Sequence, residues 1–214
     1  RIFREQESSC IDWCPHAKEC VGPEVYERLR PGLQEDLSGT PLDVLRREHE
    51  RVQENLSLLR GAGLCLKLGS SKPRSPIWDK GVSHLTKVLE FFDKDVGWHF
   101  RREEEVLFPS LERHIGGDRS PTRLLLGEHQ EIWQWYHRLK EKLAESQENR
   151  AERAESISAQ VQDIINQMVP FLQEHIKKEN ESLLPLAKTL LGEEELEEIS
   201  RRWRSLGVGI GGGE

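Results

Sequence analysis

HFRREEEVLFPSLERH (residues 99–114) returns later in the chain as HIKKENESLLPLA (residues 175–187), and this repeat decides the fold. Both stretches open on a His, carry a Glu four residues later and run through two apolar residues into a proline. Residues four apart lie above one another on the same face of an α-helix. The repeat therefore predicts two helices on which a His and a Glu point the same way: His99 with Glu103, and His175 with Glu179.

A second repeat precedes each of these stretches. Residues 40–52, TPLDVLRREHERV, align without a gap with residues 120–132, SPTRLLLGEHQEI. Each begins with a helix-capping residue followed by proline, which is a preferred order at a helix start. Each also places a Glu-His pair inside an apolar stripe, Glu48-His49 and Glu128-His129. Because the two halves share one order of motifs, the sequence predicts two similar helical hairpins.

Helix start and stop signals predict five helical stretches. The first begins at Thr40 and is expected to stop at Gly61, before a loop rich in Gly, Ser, Lys and Pro that runs to about residue 76. Pro170 is expected to kink the fourth stretch, because proline removes a backbone hydrogen bond. The predicted stretches are 40–61, 78–114, a third from Ser120, 150–190 and 193–206.

These signals predict an all-α protein whose centre is an antiparallel up-down four-helix bundle. We expect the bundle to cover residues 40–191, after a Cys-containing N-terminal segment at residues 1–39. Residues 192–214 are expected to form a short amphipathic helix and a Gly-rich tail. No stretch of the sequence indicates a strand.

The composition excludes several classes of function. The 214 residues carry a formal net charge of −7, whereas nucleic-acid binding needs a clustered basic surface. No apolar run reaches the roughly 20 residues of a membrane span, so we expect neither nucleic acid nor a membrane as partner. Three of the four cysteines lie between residues 10 and 20; this is unlike an extracellular disulfide scaffold and favours the reducing cytoplasm. Because the chain begins at Arg1 rather than Met, we expect it to belong to a longer product.

Four imidazoles and two carboxylates can converge where four antiparallel helices pass a common level. Such groups are costly to bury unless they are paired, hydrogen-bonded or bound to a metal. Imidazole suits iron, zinc, copper and nickel, and the added carboxylates favour iron or manganese over copper. The pattern predicts a binuclear metal site with open coordination positions; the alternative is a helical scaffold whose polar core residues satisfy one another. The candidate ligands are His49, His99, Glu103, His129, His175 and Glu179.

Other polar residues near these stripes are weaker candidates. Asp95 and Tyr136 share the ligand stripes and are candidates for orienting an imidazole, with a core or boundary role as the alternative. His84 and His114 each lie 15 residues from His99. That separation is about 22 Å along a helix, so neither is expected to share its metal.

The order His, His-x-x-x-Glu, His, His-x-x-x-Glu on four helices resembles the hemerythrin-like (HHE cation-binding) family over about residues 40–190. The spacing is most similar to that of bacterial repair-of-iron-centres proteins, which carry such a domain. The resemblance implies two iron ions in a non-haem di-iron centre with an oxo or hydroxo bridge. It also implies two bridging carboxylates, Glu103 and Glu179, and four terminal ligands, His49, His99, His129 and His175.

This chain differs from the hemerythrins that carry oxygen in blood. Those proteins have an additional His and an Asp ligand, and no convincing equivalent occurs here. The difference argues against simple reversible oxygen carriage. Ferritin-like proteins use Glu-x-x-His and more carboxylates, so iron storage fits the pattern less well.

Cys10, Cys14 and Cys20 form a separate cluster with C-x3-C-x5-C spacing. This spacing differs from the two-residue spacing that is common among zinc and iron–sulfur ligands. A second metal or iron–sulfur site, free thiols and a regulatory disulfide therefore stay open as alternatives for these three residues.

The predicted function is that of a non-haem di-iron protein in an oxidative or nitrosative stress response. It would bind or reduce a small oxidant, either dioxygen, nitric oxide or peroxide. The residues name neither the oxidant nor the electron donor, and whether the protein turns over as an enzyme stays open. The alternative is an iron- or oxygen-sensing regulatory module that signals to a partner or a fused domain.

Overall fold

The computed structural model describes residues 39–115, 120–148 and 150–208. Almost all of these residues are helical, and none of them lies in a strand. The prediction of an all-α chain is therefore confirmed. None of the helices in these three ranges is long and apolar enough to cross a membrane.

The described part of the chain contains four long helical stretches and one shorter final helix, and three of the turns within them are π-helical. The first stretch is the single helix α1 (Pro41–Gly69). The second stretch consists of five elements in succession: α2 (Pro76–Phe91), π1 (Phe92–Val96), α3 (Gly97–Arg102), π2 (Glu103–Leu107) and α4 (Phe108–Ile115). The third is α5 (Pro121–Glu148); the fourth is α6 (Arg150–Lys178), π3 (Glu179–Leu183) and α7 (Leu184–Leu190); the last helix is α8 (Glu193–Val208).

Two residues that were expected to disturb helices lie inside them. The prediction that α1 stops at Gly61 was wrong, because the apolar stripe continues through Ala62 and Leu66, both fully buried, and carries the helix to Gly69. Pro170 lies inside α6, and the kink expected there stays a prediction. At Gly61, packing of a buried face outweighs the local preference of glycine.

The chain folds as two compact units. Among the described residues, the first contains 39–47, 100–115, 120–127 and 175–208. The second contains Glu48–His99 and Glu128–Glu174. The long helices are continuous through these boundaries, so α1, for example, contributes residues to both units.

Each unit has an apolar core made from several helices. In the first unit, α8 adds Leu196, Ile199 and Trp203 to a buried cluster of residues from α1, π2, α4, α5, π3 and α7. In the second unit, the largest fully buried side chains are Trp78, Phe92 and Tyr136, and the rings of Phe92 and Tyr136 stack with their centroids 6.1 Å apart. These cores fix the rotation of each helix about its own axis, and thereby decide which polar residues point inward.

In the second unit, α2 packs closely on α1 at Gly81. A Cβ at this position would lie 2.9 Å from the backbone nitrogen and from Cγ of Leu66, closer than side chains normally approach. We expect Gly81→Ala to lower the free energy of unfolding by about 1–3 kcal/mol, because the α1 backbone cannot move aside without cost. Thermal and denaturant unfolding of the purified variant measure this change.

Gly127→Ala is the matched control, since a Cβ on that α5 glycine meets nothing within 4 Å. Alanine favours a helix over glycine by about 0.5–1 kcal/mol, so this variant should be at least as stable as the parent. A Gly81→Ala protein that unfolds no earlier than the parent would contradict the close approach of the two helices.

Candidate metal centre

All six predicted ligands are buried, and none exposes more than 2% of its surface. His49 lies on α1, His99 on α3, His129 on α5 and His175 on α6, while the two glutamates begin π-helical turns. Each side chain faces inward because its helix buries the apolar stripe that surrounds it. Groups of this kind are expensive to bury without compensation, so their burial in one protein calls for a shared partner.

Two of the imidazoles meet in the second unit. The Nε2 atoms of His49 and His99 lie 3.1 Å apart, and their rings meet edge to face with centroids separated by 4.7 Å. Two nitrogen ligands at about 2.1 Å from one metal would be separated by roughly 3 Å at a right angle. The observed distance therefore suits two neighbouring ligands of a single cation.

A carboxylate holds the far side of the His99 ring. Glu48 Oε2 lies 3.0 Å from His99 Nδ1. Because a carboxylate only accepts hydrogen bonds, Nδ1–H is the donor, and in the neutral ring Nε2 is left as the ligand atom. A carboxylate that orients a metal-binding imidazole in this way is common around metal sites and raises the basicity of the ligand.

Glu48 was not among the orienting residues expected from the sequence, although the Glu-His pair that contains it is repeated. The two residues expected there, Asp95 and Tyr136, have other partners. Asp95 Oδ1 accepts a hydrogen bond from Arg51 Nη2 at 2.5 Å, and Tyr136 donates its hydroxyl hydrogen to Asp93. Burial, and then the hydrogen bond to Asp93, raise the pKa of the Tyr136 hydroxyl above its usual value, so this group stays protonated at neutral pH.

Of the other four candidate ligands, Glu103, His175 and Glu179 belong to the first unit and His129 to the second. His175 Nε2 lies 3.4 Å from Glu179 Oε1, which is the side-chain contact that the four-residue spacing predicts. The ring of Phe100 meets the His175 ring edge to face, with the centroids 6.1 Å apart. Glu103 and Glu179 both have no exposed surface.

Both candidate glutamates are the first residues of π-helical turns. The Phe108 N–H donates to the Glu103 carbonyl, and the Leu184 N–H donates to the Glu179 carbonyl, in each case five residues back. A proline lies two residues after the end of each turn, at Pro109 and Pro185. A widened turn accommodates a proline ring that would otherwise clash with the carbonyl four residues earlier. Turns of this type occur mostly as single insertions in α-helices and often at functional sites.

The structure brings the predicted ligands into two groups. Donor atoms of the first group all lie within 4.8 Å of one another, and so do those of the second. Glu179 is in both groups and Glu103 is in the first only; the bridging role expected of both glutamates stays a prediction. The first group is His49, His99, Glu103 and Glu179; the second is His129, His175 and Glu179.

The chemistry of these donors fits iron. Each group combines imidazole nitrogen with carboxylate oxygen, a set that suits iron, manganese or zinc and lacks the thiolates that select softer metals. Of the remaining candidates, His114 Nε2 pairs with Glu195 Oε1 at 2.9 Å, in a contact that involves none of the six ligands. Cys10, Cys14 and Cys20 lie outside the described residues.

Removal of Glu48 should weaken metal binding. We expect the affinity of Glu48→Ala to fall about tenfold or more, since His99 loses the acceptor that holds its ring. Glu48→Gln keeps an acceptor oxygen, so its metal affinity should fall less. Competition with a chromophoric chelator measures the metal affinity of both variants. Glu50→Ala is the control, because Glu50 is exposed on the same helix. Equal affinities for Glu48→Ala and Glu50→Ala would show that the contact does not orient the ligand.

Comparisons with known proteins agree with this geometry. The family model of the hemerythrin HHE cation binding domain matches residues 40–187. The iron-sulfur cluster repair protein YtfE of Escherichia coli O17:K52:H18 (strain UMN026 / ExPEC) is 27% identical over 178 residues, which cover 79% of this chain and 76% of that protein. YtfE of Escherichia coli O1:K1 / APEC is 28% identical over the same shares of both chains. No solved structure matches the chain.

The matched residues contain all six candidate ligands and all but the last three residues of the four long helical stretches. The resemblance inferred from the order of His and Glu motifs is thereby confirmed, together with the all-α hemerythrin-like fold. This chain belongs to the hemerythrin HHE cation-binding domain family.

Proposed function

We propose that this chain is a non-haem di-iron protein that binds or reduces a small oxidant, namely dioxygen, nitric oxide or peroxide. The observation that carries the proposal is the pair of buried His and Glu groups that share Glu179. Membership of a cation-binding family supports a metal at these groups. The relatives named for iron-sulfur cluster repair support a role in the repair of iron centres or in stress response.

The proposal assigns separate tasks to the residues. The imidazoles hold the metal, and the two carboxylates supply the negative charge that offsets it in a buried setting. When bound, iron would supply a redox couple and coordination positions for a small ligand. Glu48 keeps the His99 ring in the orientation that directs Nε2 toward its group.

The number of protein ligands supports an exchangeable position. Six side chains, even with both glutamates bridging, provide four protein atoms to each of two ions. A shared oxo or hydroxo group would raise this number to five and leave about one position open on each ion. Because none of the six side chains is appreciably exposed, the proposal restricts the ligand to a small molecule.

The proposal also includes a cytoplasmic location, an electron donor of unspecified identity, and neither nucleic acid nor a membrane as partner. The alternative function is an iron- or oxygen-sensing regulatory module. Turnover separates the two: the isolated iron-loaded chain, given a reductant, should consume peroxide or nitric oxide if it is an enzyme. A regulatory module would bind such a ligand without sustained turnover.

Metal content tests the ligand assignment. Protein purified with iron available should contain close to two iron ions per chain by elemental analysis. Glu179→Ala should lose most of both, since this residue is in both groups, and Glu103→Ala should lose about one. Glu104→Ala is the matched control, because Glu104 is only half-buried and lies in neither group.

Folded parent protein that holds less than about half an ion would overturn the proposal of a metal protein. Equal loss of iron in Glu103→Ala and Glu104→Ala would show that the register of π2 is wrong. Zinc in place of iron would change only the identity of the metal, since the general affinity order favours zinc over ferrous iron.

Azide tests the exchangeable position. The oxidised iron-loaded protein should change its near-ultraviolet and visible absorption when azide is added, and the reduced protein should re-oxidise quickly in air. Glu179→Ala, without its paired metal, should give no such change. An unaltered spectrum together with a reduced form that survives air for hours would point to a closed structural site instead.

A further inference from the structure

The final helix reaches the backbone of the π-turn that carries Glu103. Arg202 Nη2 donates to the carbonyl of Glu105 at 2.9 Å, and Trp203 Nε1 donates to the carbonyl of Arg102 at 3.2 Å. The Arg102 guanidinium in turn lies over the Trp203 ring, 5.8 Å from its centroid. Two neighbouring residues of α8 therefore bind the backbone directly before π2 and at its middle.

The two carbonyls lie where the regular hydrogen-bond pattern of the helix is interrupted or changes. The regular partner of the Glu105 carbonyl would be the N–H four residues later, and that residue is Pro109, which has no N–H. Arg102 is the residue directly before π2, where the hydrogen-bond register changes. A backbone carbonyl that loses its helical donor is satisfied by another group or by water, and here α8 donates to both carbonyls.

The rest of α8 is fixed in the same unit. Glu195, near its start, accepts a hydrogen bond from His114 Nε2 at 2.9 Å and lies 3.5 Å from Arg113, both on α4. Trp203 itself is only 8% exposed and belongs to the apolar cluster of the first unit. Because α8 is attached at both ends to the segment that contains π2, it can hold that turn in one position.

We propose that Trp203, with Arg202, is a positioning residue for Glu103. By donating to the carbonyls on either side of this glutamate, α8 fixes the π-turn and sets the place of the Glu103 carboxylate in the first ligand group. The inference rests on the proposed metal function, since it concerns a ligand of that metal. It differs from a general stabilising role because only the first of the two groups contains Glu103.

Cobalt(II) titration of the metal-free protein tests this selectivity. Cobalt is followed by its visible absorption, and its affinity is measured by competition with a chelator. Glu103→Ala identifies the binding phase that belongs to the first group. Trp203→Phe keeps an aromatic ring in the core but removes the N–H donor, so it should weaken that phase about tenfold and leave the other phase unchanged.

Two variants of Arg202 test the same role without changing a side chain of the apolar core. Arg202→Ala removes the donor to the Glu105 carbonyl and should weaken the same phase, while Arg202→Lys, which keeps a donor, should restore part of the loss. Arg201→Ala is the matched control on the same helix, because Arg201 pairs with Glu198 of α8 itself. It should match the parent in both phases.

Each outcome supports or overturns the positioning role. Parent-like titration of both Trp203→Phe and Arg202→Ala would overturn it and leave the proposed metal function intact. An equal weakening of both phases would also overturn it, since that is the mark of a general loss of stability. A parent protein that binds no cobalt and no iron would remove the metal function and this inference together. Failure of Trp203→Phe to fold leaves the Arg202 pair to decide.

Discussion

The constraint on which the rest of this structure depends is the burial of two carboxylates, Glu103 and Glu179, that expose no surface at all. Taking an ionised carboxylate out of water costs several kcal/mol even after the surroundings relax, so a fold can keep two of them only by surrounding them with compensating groups. Imidazoles from separate helices provide part of that compensation. Neutral imidazoles bring no charge, however, and a cation held between nitrogen and oxygen donors supplies what they lack. The apolar cores, the helix rotations and the doubled motif serve this arrangement.

Much of the fold and of the candidate site could be predicted because both depend on local spacing. A His and a Glu four residues apart indicate a helix and a face at once, and the capping residue with proline marks where helices α1 and α5 begin. Because both signals are repeated, the sequence alone predicts two similar helical halves. The π-turns escaped prediction because their first residues keep ordinary α-helical spacing from the preceding His. The only trace of them is a proline six residues after each glutamate, Pro109 and Pro185, which can be interpreted only once the wider turn is known.

What could not be predicted depends on contacts between segments distant in sequence. Glu48 reaches the His99 ring only because α1 and α3 adopt particular rotations about their axes, and no spacing within either helix determines that. The position of α8 is similar: its charge pattern predicts a helix, but the attachment of Arg202 and Trp203 to π2 requires the folded chain. The helix end predicted at Gly61 was wrong for the opposite reason: a local signal was followed, but the buried stripe on either side of Gly61 outweighs it.

The place of Glu179 in both ligand groups has a consequence for how the protein would exchange metal with its surroundings. A carboxylate that is fixed by one cation is already oriented for a second, whereas the charges of the two cations repel each other. The two groups also differ in size, with four side chains in the first and three in the second. The first ion would therefore enter the larger group and the second would follow at a higher concentration, so that molecules with a single ion accumulate when iron is scarce. Such a protein would respond to iron supply over a wider range of concentration than two equal sites would.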